Sequence, residues 1–366
     1  MDKKGDITRL FRTCIDRNAS DLHLIVGRPP VLRIGGKLED IENTKLTPSD
    51  IENLIHCILS DEQKKMLEKK RELDFAVSIP GVSRFRGNVH FQRGTLAAAF
   101  RALPSLLPRM EDLKLPEDAL IRLARRKSGL VLITGPTGSG KSTTLASVID
   151  FINTERKCHI ITIEDPLEFL HTHKKALIEQ RELHEDTYSF SSALKHVLRQ
   201  DPDVIMVGEM RDFDTFSATM TAAETGHLVF SSLHTKDAIQ TIDRIINVFP
   251  AHQQDQARVQ LAGALEGIIS QRLVSQASEN KLILAYEVMI ATDAVRALIR
   301  EGRTHLIPST IESSFKYDMV SMDRSLVNLY KQGLITKEIL FRNCVKPDYV
   351  KGLLQNSEAS YTRSSN

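Results

Sequence analysis

Tryptophan is absent from this chain of 366 residues, and aromatic residues make up only 5% of it. Proteins that hold single-stranded nucleic acid stack the bases on aromatic side chains, so this scarcity argues against that class. Positive and negative charges nearly balance, with 49 Lys and Arg against 47 Asp and Glu and a net charge of +2. The chain as a whole therefore has no field that requires a nucleic acid or a membrane surface as its partner.

Cysteine and long apolar runs are scarce as well. Four cysteines stand far apart and form no CxxC pair, which excludes a disulfide framework and argues against a zinc module; they are Cys14, Cys57, Cys158 and Cys344. No apolar run approaches the roughly 18 residues of a membrane span. The first ten residues, MDKKGDITRL, lack the apolar segment of a secretory signal. We therefore predict a cytoplasmic protein that reaches a membrane only through a partner.

Three prolines divide the sequence into two parts. Before them, short amphipathic helices and strand-like segments predict a compact α+β domain over residues 1–103. Pro104, Pro108 and Pro116 interrupt both helical and sheet hydrogen bonding. Residues 104–116 are therefore predicted to form an interdomain linker.

From residue 117 onward, strand-like and helix-like segments alternate, which is typical of an α/β fold with a parallel sheet covered by helices. We predict that this core spans residues 117–290. Beyond residue 231 we expect mainly helix with one strand over residues 282–287, and residues 291–354 are predicted to form a helical region. Residues 355–366 are polar and without periodicity, so we expect a disordered tail there.

The most specific chemical signal is a glycine-rich loop after the apolar stretch GLVLIT, matching G-x-x-x-x-G-K-[ST] at every position. Glycines let backbone N–H groups turn toward a phosphate, and the helix that follows adds the positive end of its dipole. We predict a nucleotide site with Lys141 on the β/γ oxygens and Ser142 on Mg²⁺. The binding residues are predicted to be Gly135, Pro136, Thr137, Gly138, Ser139, Gly140, Lys141, Ser142 and Thr143.

Two further predicted strands end in carboxylates, Glu164 after IITI and Glu209 after VIMVG. Ligands bind at the edge where the carboxyl ends of parallel strands meet. We predict that Glu209 holds Mg²⁺, directly or through water, and that Glu164 orients or deprotonates the attacking water. A helix cap or a solvated loop is the alternative for Glu164 and Asp165.

Histidine and arginine supply further candidates. His227 precedes and His234 follows one predicted strand, and we expect both near the carboxylates, with one sensing the γ-phosphate. A hydrogen-bonded structural role is the alternative for each histidine.

Arg84 and Arg86 alternate on one strand, and with Arg101 they form a face able to neutralise phosphate charge in trans. An exposed basic strand is the alternative for this face.

Taken together, several motifs resemble the PilT-type retraction ATPases of type IV pili, in the secretion-ATPase superfamily. They span nearly the whole chain and read ASDLHL, GRPP, SRFRGNVHFQRG, GPTGSGKST, ITIEDPLEF, RQDPDVIMVGEMRD and AAETGHLVFSSLHT. The resemblance implies a PAS-like N-terminal domain joined by a hinge to a RecA-like ATPase domain. It also implies a hexameric ring that binds ATP at the subunit boundaries.

Residue roles and partners follow from the same resemblance. Glu209 matches the Walker B acid, Glu164 the catalytic carboxylate of the Asp box, and His227 and His234 the His box. Arg86 and Arg101 match arginines that approach the nucleotide from the N-terminal domain. The implied partners are a PilC-like platform protein of the inner membrane and a PilT- or PilU-type paralogue, without direct nucleic acid. The protein would then be cytoplasmic, peripheral at the inner membrane, and would drive twitching motility.

Two features favour retraction within this superfamily. Assembly ATPases commonly carry a four-cysteine zinc module that these cysteines cannot form, and AVRALIRE at residues 294–301 resembles the retraction motif AIRNLIRE. On a helix, Arg296 and Arg300 of this segment are expected to share an outer face. The alternatives are an accessory PilU-like ATPase, an assembly or type II secretion ATPase, a nucleic-acid motor, and a nucleotide-gated binding module without useful hydrolysis.

Overall fold

A computed structural model describes residues 3–104, 107–278, 281–314 and 317–363. The chain divides into two compact units. The first comprises Met1–Leu106 with Glu168–Leu170, and the second comprises Leu107–Leu167 with His171–Asn366. Among the described residues, no helix combines the length and hydropathy that crossing a membrane requires.

The first unit is built on a six-stranded sheet in the order β3-β2-β1-β6-β5-β4, with every neighbouring pair antiparallel. Phenylalanines from helix α1 and strands β4, β5 and β6 pack in its core, with the rings of Phe11 and Phe85 centred 4.3 Å apart. The elements are α1 (Lys3–Asp16), β1 (Asp21–Leu24), β2 (Val31–Ile34), β3 (Lys37–Asp40), α2 (Pro48–His56), α3 (Asp61–Lys70), β4 (Glu72–Ile79), β5 (Ser83–Gln92) and β6 (Thr95–Ala102).

The second unit is built on a mixed seven-stranded sheet in the order β13-β12-β7-β11-β10-β8-β9. All neighbouring pairs are parallel except β12 with β13, so an α/β sheet carries one antiparallel edge strand. Its strands are β7 (Gly129–Thr134), β8 (His159–Glu164), β9 (Leu177–Glu182), β10 (Val204–Glu209), β11 (Leu228–Leu233), β12 (Leu265–Ser275) and β13 (Leu282–Ile290).

Helices cover this sheet and extend it toward the C-terminus. Strands β7 and β11 are buried along their entire length, as expected for central strands with helices on both faces. The helices are α4 (Glu117–Ala124), α5 (Lys141–Glu155), α6 (Phe190–Val197), α7 (Phe213–Glu224), α8 (Ala238–Val248), α9 (Gln254–Ala264), α10 (Asp293–Arg300), α11 (Ile307–Ser313), α12 (Met322–Lys331), α13 (Lys337–Asn343) and α14 (Pro347–Arg363).

The sequence-based prediction was wrong for two segments of this unit. Residues 265–275 form the long strand β12 in a region expected to be helical, because LEGIISQRLVS is buried along most of its length and lacks a solvent face. The predicted disordered tail is helical as far as Arg363, since α14 continues through it, and residues 364–366 lie outside the described residues.

Helix α10, which carries the AVRALIRE segment, differs from expectation at one arginine. Val295 and Ile299 are buried, as the helical spacing predicts. Arg296, however, turns back onto the end of α9, where its guanidinium donates to the carbonyl oxygens of Ala262 at 2.6 Å and Gly263 at 2.8 Å. Arg296 therefore holds two helices together and does not share an outer face with Arg300, because unpaired carbonyls at a helix C-terminus attract a cation.

One carboxylate of the second unit joins the starts of two helices. Glu287 of β13 accepts a 3.0 Å hydrogen bond from the backbone N–H of Ala238, the first residue of α8, and interacts with the backbone N–H of Met322 at the start of α12. Burial raises the pKa of Glu287 to about 7, and the nearby carboxylates of Asp237 and Asp323 add to the rise. The native state therefore binds this proton more tightly than the unfolded chain does.

We expect Glu287→Gln to flatten the pH dependence of stability. Folding raises this pKa from its ordinary 4.5, so the native state binds the proton more tightly and the wild type loses stability as pH rises from about 4.5 to 7. Glutamine keeps an acceptor and does not titrate. The variant should equal the wild type at low pH and exceed it by about 1–3 kcal/mol above pH 8.

Urea unfolding of both proteins between about pH 5 and 8 measures this difference directly. Glu301→Gln serves as the matched control, because Glu301 is an exposed carboxylate whose ion pair, among the described residues, is with Arg303 at 3.2 Å. A difference between wild type and Glu287→Gln that stays constant across pH would contradict the assignment.

Candidate functional site

The glycine-rich loop joins β7 to α5 at the carboxyl edge of the parallel strands. Gly135 has φ +148° and lies so close to the neighbouring strand that an added Cβ would stand 2.4 Å from the Gln271 carbonyl oxygen. Gly138 and Gly140 also have positive φ, at +77° and +89°. These conformations let the loop wrap closely around the N-terminus of α5, where free N–H groups and the helix dipole favour an anion.

Lys141 lies folded within this loop. Its Nζ donates to the carbonyl oxygens of Gly135 at 2.9 Å and Pro136 at 3.0 Å. Burial lowers the pKa of Lys141, and the charge of Glu209 partly opposes that effect. A phosphate entering the loop would offer the ammonium a charged acceptor in place of two carbonyls, and charge-assisted hydrogen bonds are the stronger kind.

His234 connects the loop to the carboxylate of the neighbouring strand. Its Nδ1 lies 3.4 Å from Lys141 Nζ and 3.5 Å from Thr137 Oγ1, and its Nε2 lies 3.5 Å from Glu209 Oε1. Since the ammonium of Lys141 can only donate, Nδ1 faces it as an acceptor and the ring proton sits on Nε2, toward Glu209. One histidine thus contacts both the lysine of the loop and the carboxylate of the neighbouring strand.

Glu209 ends β10 and is held ionised. Arg211 donates to its Oε2 at 2.9 Å, and this guanidinium lowers the pKa of Glu209. The hydroxyl of Ser142, in the first turn of α5, is exposed. Mg²⁺ takes one or two protein oxygens and completes its shell with water and phosphate oxygens, so an ionised carboxylate and an exposed hydroxyl at the same edge of the sheet suit it. Among the described residues no group of three or more His, Cys, Asp or Glu forms a self-sufficient metal site.

Glu164 ends β8, the third strand from the loop strand β7, and β11 and β10 lie between the two. It is 8% exposed, and its Oε1 accepts from Thr162 Oγ1 at 2.8 Å and from Gln180 Nε2 at 3.4 Å. The two donors fix the direction of the carboxyl group. A fixed, buried carboxylate at this edge is suited to hold or accept a proton.

The structure thus brings Lys141, His234, Glu209 and Glu164 to one edge of one sheet, because each follows or ends a parallel strand of the same direction. His227 is not among them. It precedes β11, its Nδ1 lies 2.9 Å from the Ala222 carbonyl oxygen, and its own carbonyl accepts from Gly129 at the start of β7. The expectation that both histidines share this edge was wrong, because residues on either side of a six-residue strand stand about 20 Å apart.

The two arginines of the candidate set belong to the first unit. Arg86 and Arg101 are direct cross-strand neighbours on β5 and β6, and both are exposed. Arg101 Nε donates to Asp21 Oδ1 at 3.0 Å, and its side chain remains 70% exposed. They form a basic pair on the antiparallel sheet, and their assignment to a nucleotide stays a prediction.

Two buried polar residues of the site escaped sequence analysis. Gln271, on β12, is 1% exposed and donates to Thr144 Oγ1 of α5 at 2.7 Å. Ser270 accepts from Thr134 Oγ1 at 3.0 Å. Together they fix both ends of the loop. The sequence did contain a signal for them, the polar pair SQ within the apolar stretch GIISQRL. It could not be interpreted, because the strand that carries the pair was not predicted.

Comparison with known proteins gives a consistent result over most of the chain. Residues 6–317 match the family described as type II/IV secretion system protein. The chain is 45% identical to the type IV pilus retraction ATPase PilT of Pseudomonas aeruginosa, over 91% of this chain and 96% of that protein. It is 37% identical to the type IV pilus ATPase PilU of the same organism, over 91% of this chain and 87% of that protein.

A solved structure agrees with these sequence relatives. The crystal structure of the pilus retraction motor PilT with bound ADP superposes with a TM-score of 0.85 at 46% sequence identity, covering 94% of this chain and 98% of that one. An α/β fold with mixed sheets is therefore common to both proteins.

Gly135→Ala should collapse the loop. The new Cβ would meet the Gln271 carbonyl oxygen at 2.4 Å and Ser139 Oγ at 2.5 Å, at a φ that favours glycine. We expect a loss of about 2–4 kcal/mol of stability and no measurable binding of a fluorescent nucleotide. Gly138→Ala is the matched control, because no atom lies within 4 Å of its Cβ; strain alone should cost it about 1 kcal/mol. Equal losses of stability in the two variants, measured by thermal unfolding, would contradict the close approach of Gly135 to the Gln271 carbonyl.

Proposed function

Because the chain belongs to the family of type II/IV secretion system proteins, we propose that it is a hexameric ATP-hydrolysing motor that drives retraction of type IV pili and twitching motility. The observation that carries this proposal is the shared edge at which Lys141, His234, Glu209 and Glu164 meet. The chain is an ATPase, converting ATP and water to ADP and phosphate. The PilT structure that it resembles contains ADP, which supports a nucleotide in this loop.

ATP binds with its β- and γ-phosphates in the loop formed by residues 135–143. Lys141 leaves the carbonyl oxygens of Gly135 and Pro136 for the phosphate oxygens, and the N-terminus of α5 supplies N–H donors. Ser142 and Glu209 would hold Mg²⁺, Glu209 directly or through water. The bound cation would neutralise charge that develops on the phosphate oxygens.

Hydrolysis needs a base for the attacking water, and Glu164 takes that role in this proposal. Thr162 and Gln180 donate to one of its oxygens, so the direction of the buried carboxylate is fixed. Water attacks the γ-phosphorus, the water proton passes to Glu164, and the bond to the β-phosphate oxygen breaks with ADP as the leaving group. His234 contacts the loop and Glu209 at once, which suits it to report the departure of the γ-phosphate.

The first unit completes the motor in this proposal. Its antiparallel sheet with flanking helices is consistent with a PAS-like domain, and the parallel sheet of the second unit is consistent with a RecA-like domain. Arg86 or Arg101 approaches the nucleotide of a neighbouring protomer and neutralises phosphate charge. Loss of the γ-phosphate weakens that bridge, and protomers move apart in turn around a six-membered ring.

Retraction is favoured over assembly by the named relatives and by the AVRALIRE helix. The PilT relative is more similar than the PilU relative, at 45% against 37% identity, and an accessory PilU-like role is the second candidate. The motor acts on a PilC-like platform protein and works beside a PilT- or PilU-type paralogue. It is cytoplasmic and peripheral at the inner membrane.

Glu164→Gln should keep ATP binding and lose turnover. Glutamine preserves the shape and the contact with Thr162 but cannot accept the proton of water, so kcat should fall by ~10²–10⁴-fold while ATP affinity changes little. Lys141→Ala should instead lose tight binding, because the charge on the phosphate oxygens then has no ammonium partner. Steady-state hydrolysis and fluorescent-nucleotide binding separate the two effects.

Glu179→Gln is the matched control for Glu164→Gln. Glu179 also lies on a strand of the same sheet, but its side chain is 50% exposed and faces His159 at 3.4 Å. Turnover close to wild type in the Glu164 variant would remove this carboxylate from the mechanism.

Deletion of the chromosomal copy distinguishes retraction from assembly. Cells without a retraction motor should keep surface pili and stop twitching, because polymerisation continues without withdrawal. Electron microscopy of pili and a twitching assay on agar measure the two traits, and the wild-type gene on a plasmid is the control. Bald cells would instead indicate an assembly ATPase.

A further inference from the structure

The second unit carries a strongly basic surface at the edge of its sheet opposite the phosphate loop. Three separate segments contribute: the end of α4, the end of α5, and the chain leading into β9. We call this surface the amino-edge patch, and it consists of Arg125, Arg126, Lys127, Arg156, Lys157, Lys174 and Lys175. All but Arg156 are classed as exposed.

Direct hydrogen bonds join the three segments. Arg156 NH1 donates to the carbonyl oxygens of Ala124 at 3.1 Å and Arg126 at 3.3 Å. The backbone N–H groups of Lys174 and Lys175 donate to Asn153 of α5, at 3.0 Å and 2.9 Å. The basic side chains are therefore neighbours in space and not merely in sequence.

The carboxylates near the patch are already engaged. Glu155 pairs with Arg125 at 2.5 Å, and Asp150 pairs with Lys174 at 2.7 Å. Glu266, the third, lies 2.9 Å from Arg126 and 2.7 Å from Arg296. Three carboxylates thus face seven cations, and one of the three is shared with a cation outside the patch.

Structural roles account for only some of the positive charges in the amino-edge patch. Arg156 and Arg125 lie at the C-terminal ends of α5 and α4, where a cation stabilises the helix dipole. Lys127, Lys157 and Lys175 have no carboxylate within 4 Å among the described residues, although the charge of Glu155 acts on Lys175 at longer range. Their exposed ammonium groups are therefore available to an external anion.

We propose that the amino-edge patch is the docking surface for an acidic segment of a partner protein. The chain carries a net charge of only +2 in total, so this concentration of positive charge is local. The three contributing basic segments, RRK, RK and KK, contain no aromatic residue on which nucleic-acid bases could stack. Of the large apolar side chains that the described residues expose, Leu177, at 53%, lies next to these segments, and one such side chain is too little to anchor the surface in lipid.

This inference rests on the proposed function in one respect: the partner is a component of the machine on which the motor acts. The patch lies about 20 Å from the phosphate loop, at the far ends of β7 and β8. A partner bound there leaves the entrance for ATP open. Binding and hydrolysis can therefore be measured separately.

The test replaces the three unpaired lysines. The triple variant Lys127→Glu, Lys157→Glu and Lys175→Glu reverses their charge, and the triple arginine variant keeps the charge as a matched control. Both should retain ATPase activity and the oligomeric mass of the wild type, since none of the three lysines belongs to the nucleotide site.

A fluorescent peptide of about ten glutamates is the probe, measured by anisotropy. Wild type and arginine variant should bind it, with affinity falling as salt rises because exposed charges are screened. The glutamate variant should bind at least ~tenfold more weakly, about 1.4 kcal/mol. Equal binding by all three proteins would overturn the proposal. Binding of the wild type only to vesicles rich in phosphatidylglycerol would also overturn it and would indicate a lipid surface. Loss of the oligomer in the glutamate variant would overturn it as well, because the patch would then contact a second copy of the chain.

A twitching assay distinguishes failure of the docking proposal from failure of the proposed motor function. If the wild-type gene restores twitching to a deletion strain, the glutamate variant should fail to do so and the arginine variant should succeed. Twitching restored equally by both variants would overturn the docking role. If the wild-type gene itself restores nothing, the proposed function fails, and the peptide measurement still decides the patch.

Discussion

The common direction of the parallel strands is the constraint on which the site depends. Strands β7, β11, β10 and β8 run side by side, so whatever follows each of them arrives at one edge. Residues separated by up to about a hundred positions in sequence thereby become neighbours, as with Lys141 and His234. No single residue creates the site; it exists because four buried apolar strands pack in register beneath the helices. The side chains of the site are thus positioned by buried strands of the sheet.

The same constraint explains which parts of the site could be predicted from the sequence. The loop, Glu164 and Glu209 each follow an unmistakable apolar run, so their edge was predictable once the sheet was taken as parallel. His227 was misplaced because it stands before its strand, and flanking residues on opposite sides of a strand lie at opposite edges. Strand β12 was missed because its buried run resembles helix as much as strand by periodicity. Gln271 was missed with it, since a buried polar partner can be recognised only when its strand is known.

The contacts of Lys141 explain how an ammonium is accommodated inside the loop. A buried ammonium is costly unless hydrogen bonds compensate for its lost hydration, and here two carbonyl oxygens and His234 surround it. His234 also faces Glu209, so the lysine of the loop and the carboxylate of the neighbouring strand share one histidine. In the proposed mechanism, a phosphate that binds Lys141 would replace its carbonyl partners, and the histidine would connect that change to Glu209.

The buried parallel sheet also limits which parts of the second unit can move when ATP is hydrolysed. Its central strands are buried along their length and hydrogen-bonded on both sides, so they do not change length or register when phosphate leaves. Movement has to begin in segments attached to the strand ends. One such segment runs from His234 to the start of α8, where Ala238 donates to Glu287, and Glu287 also meets the start of α12. The start of α8 thus lies four residues beyond the histidine that contacts the loop, and Glu287 joins it to the start of α12. In the proposed mechanism, a displacement of His234 would therefore reach α8 through a short segment, and α12 through Glu287, without a change in the sheet.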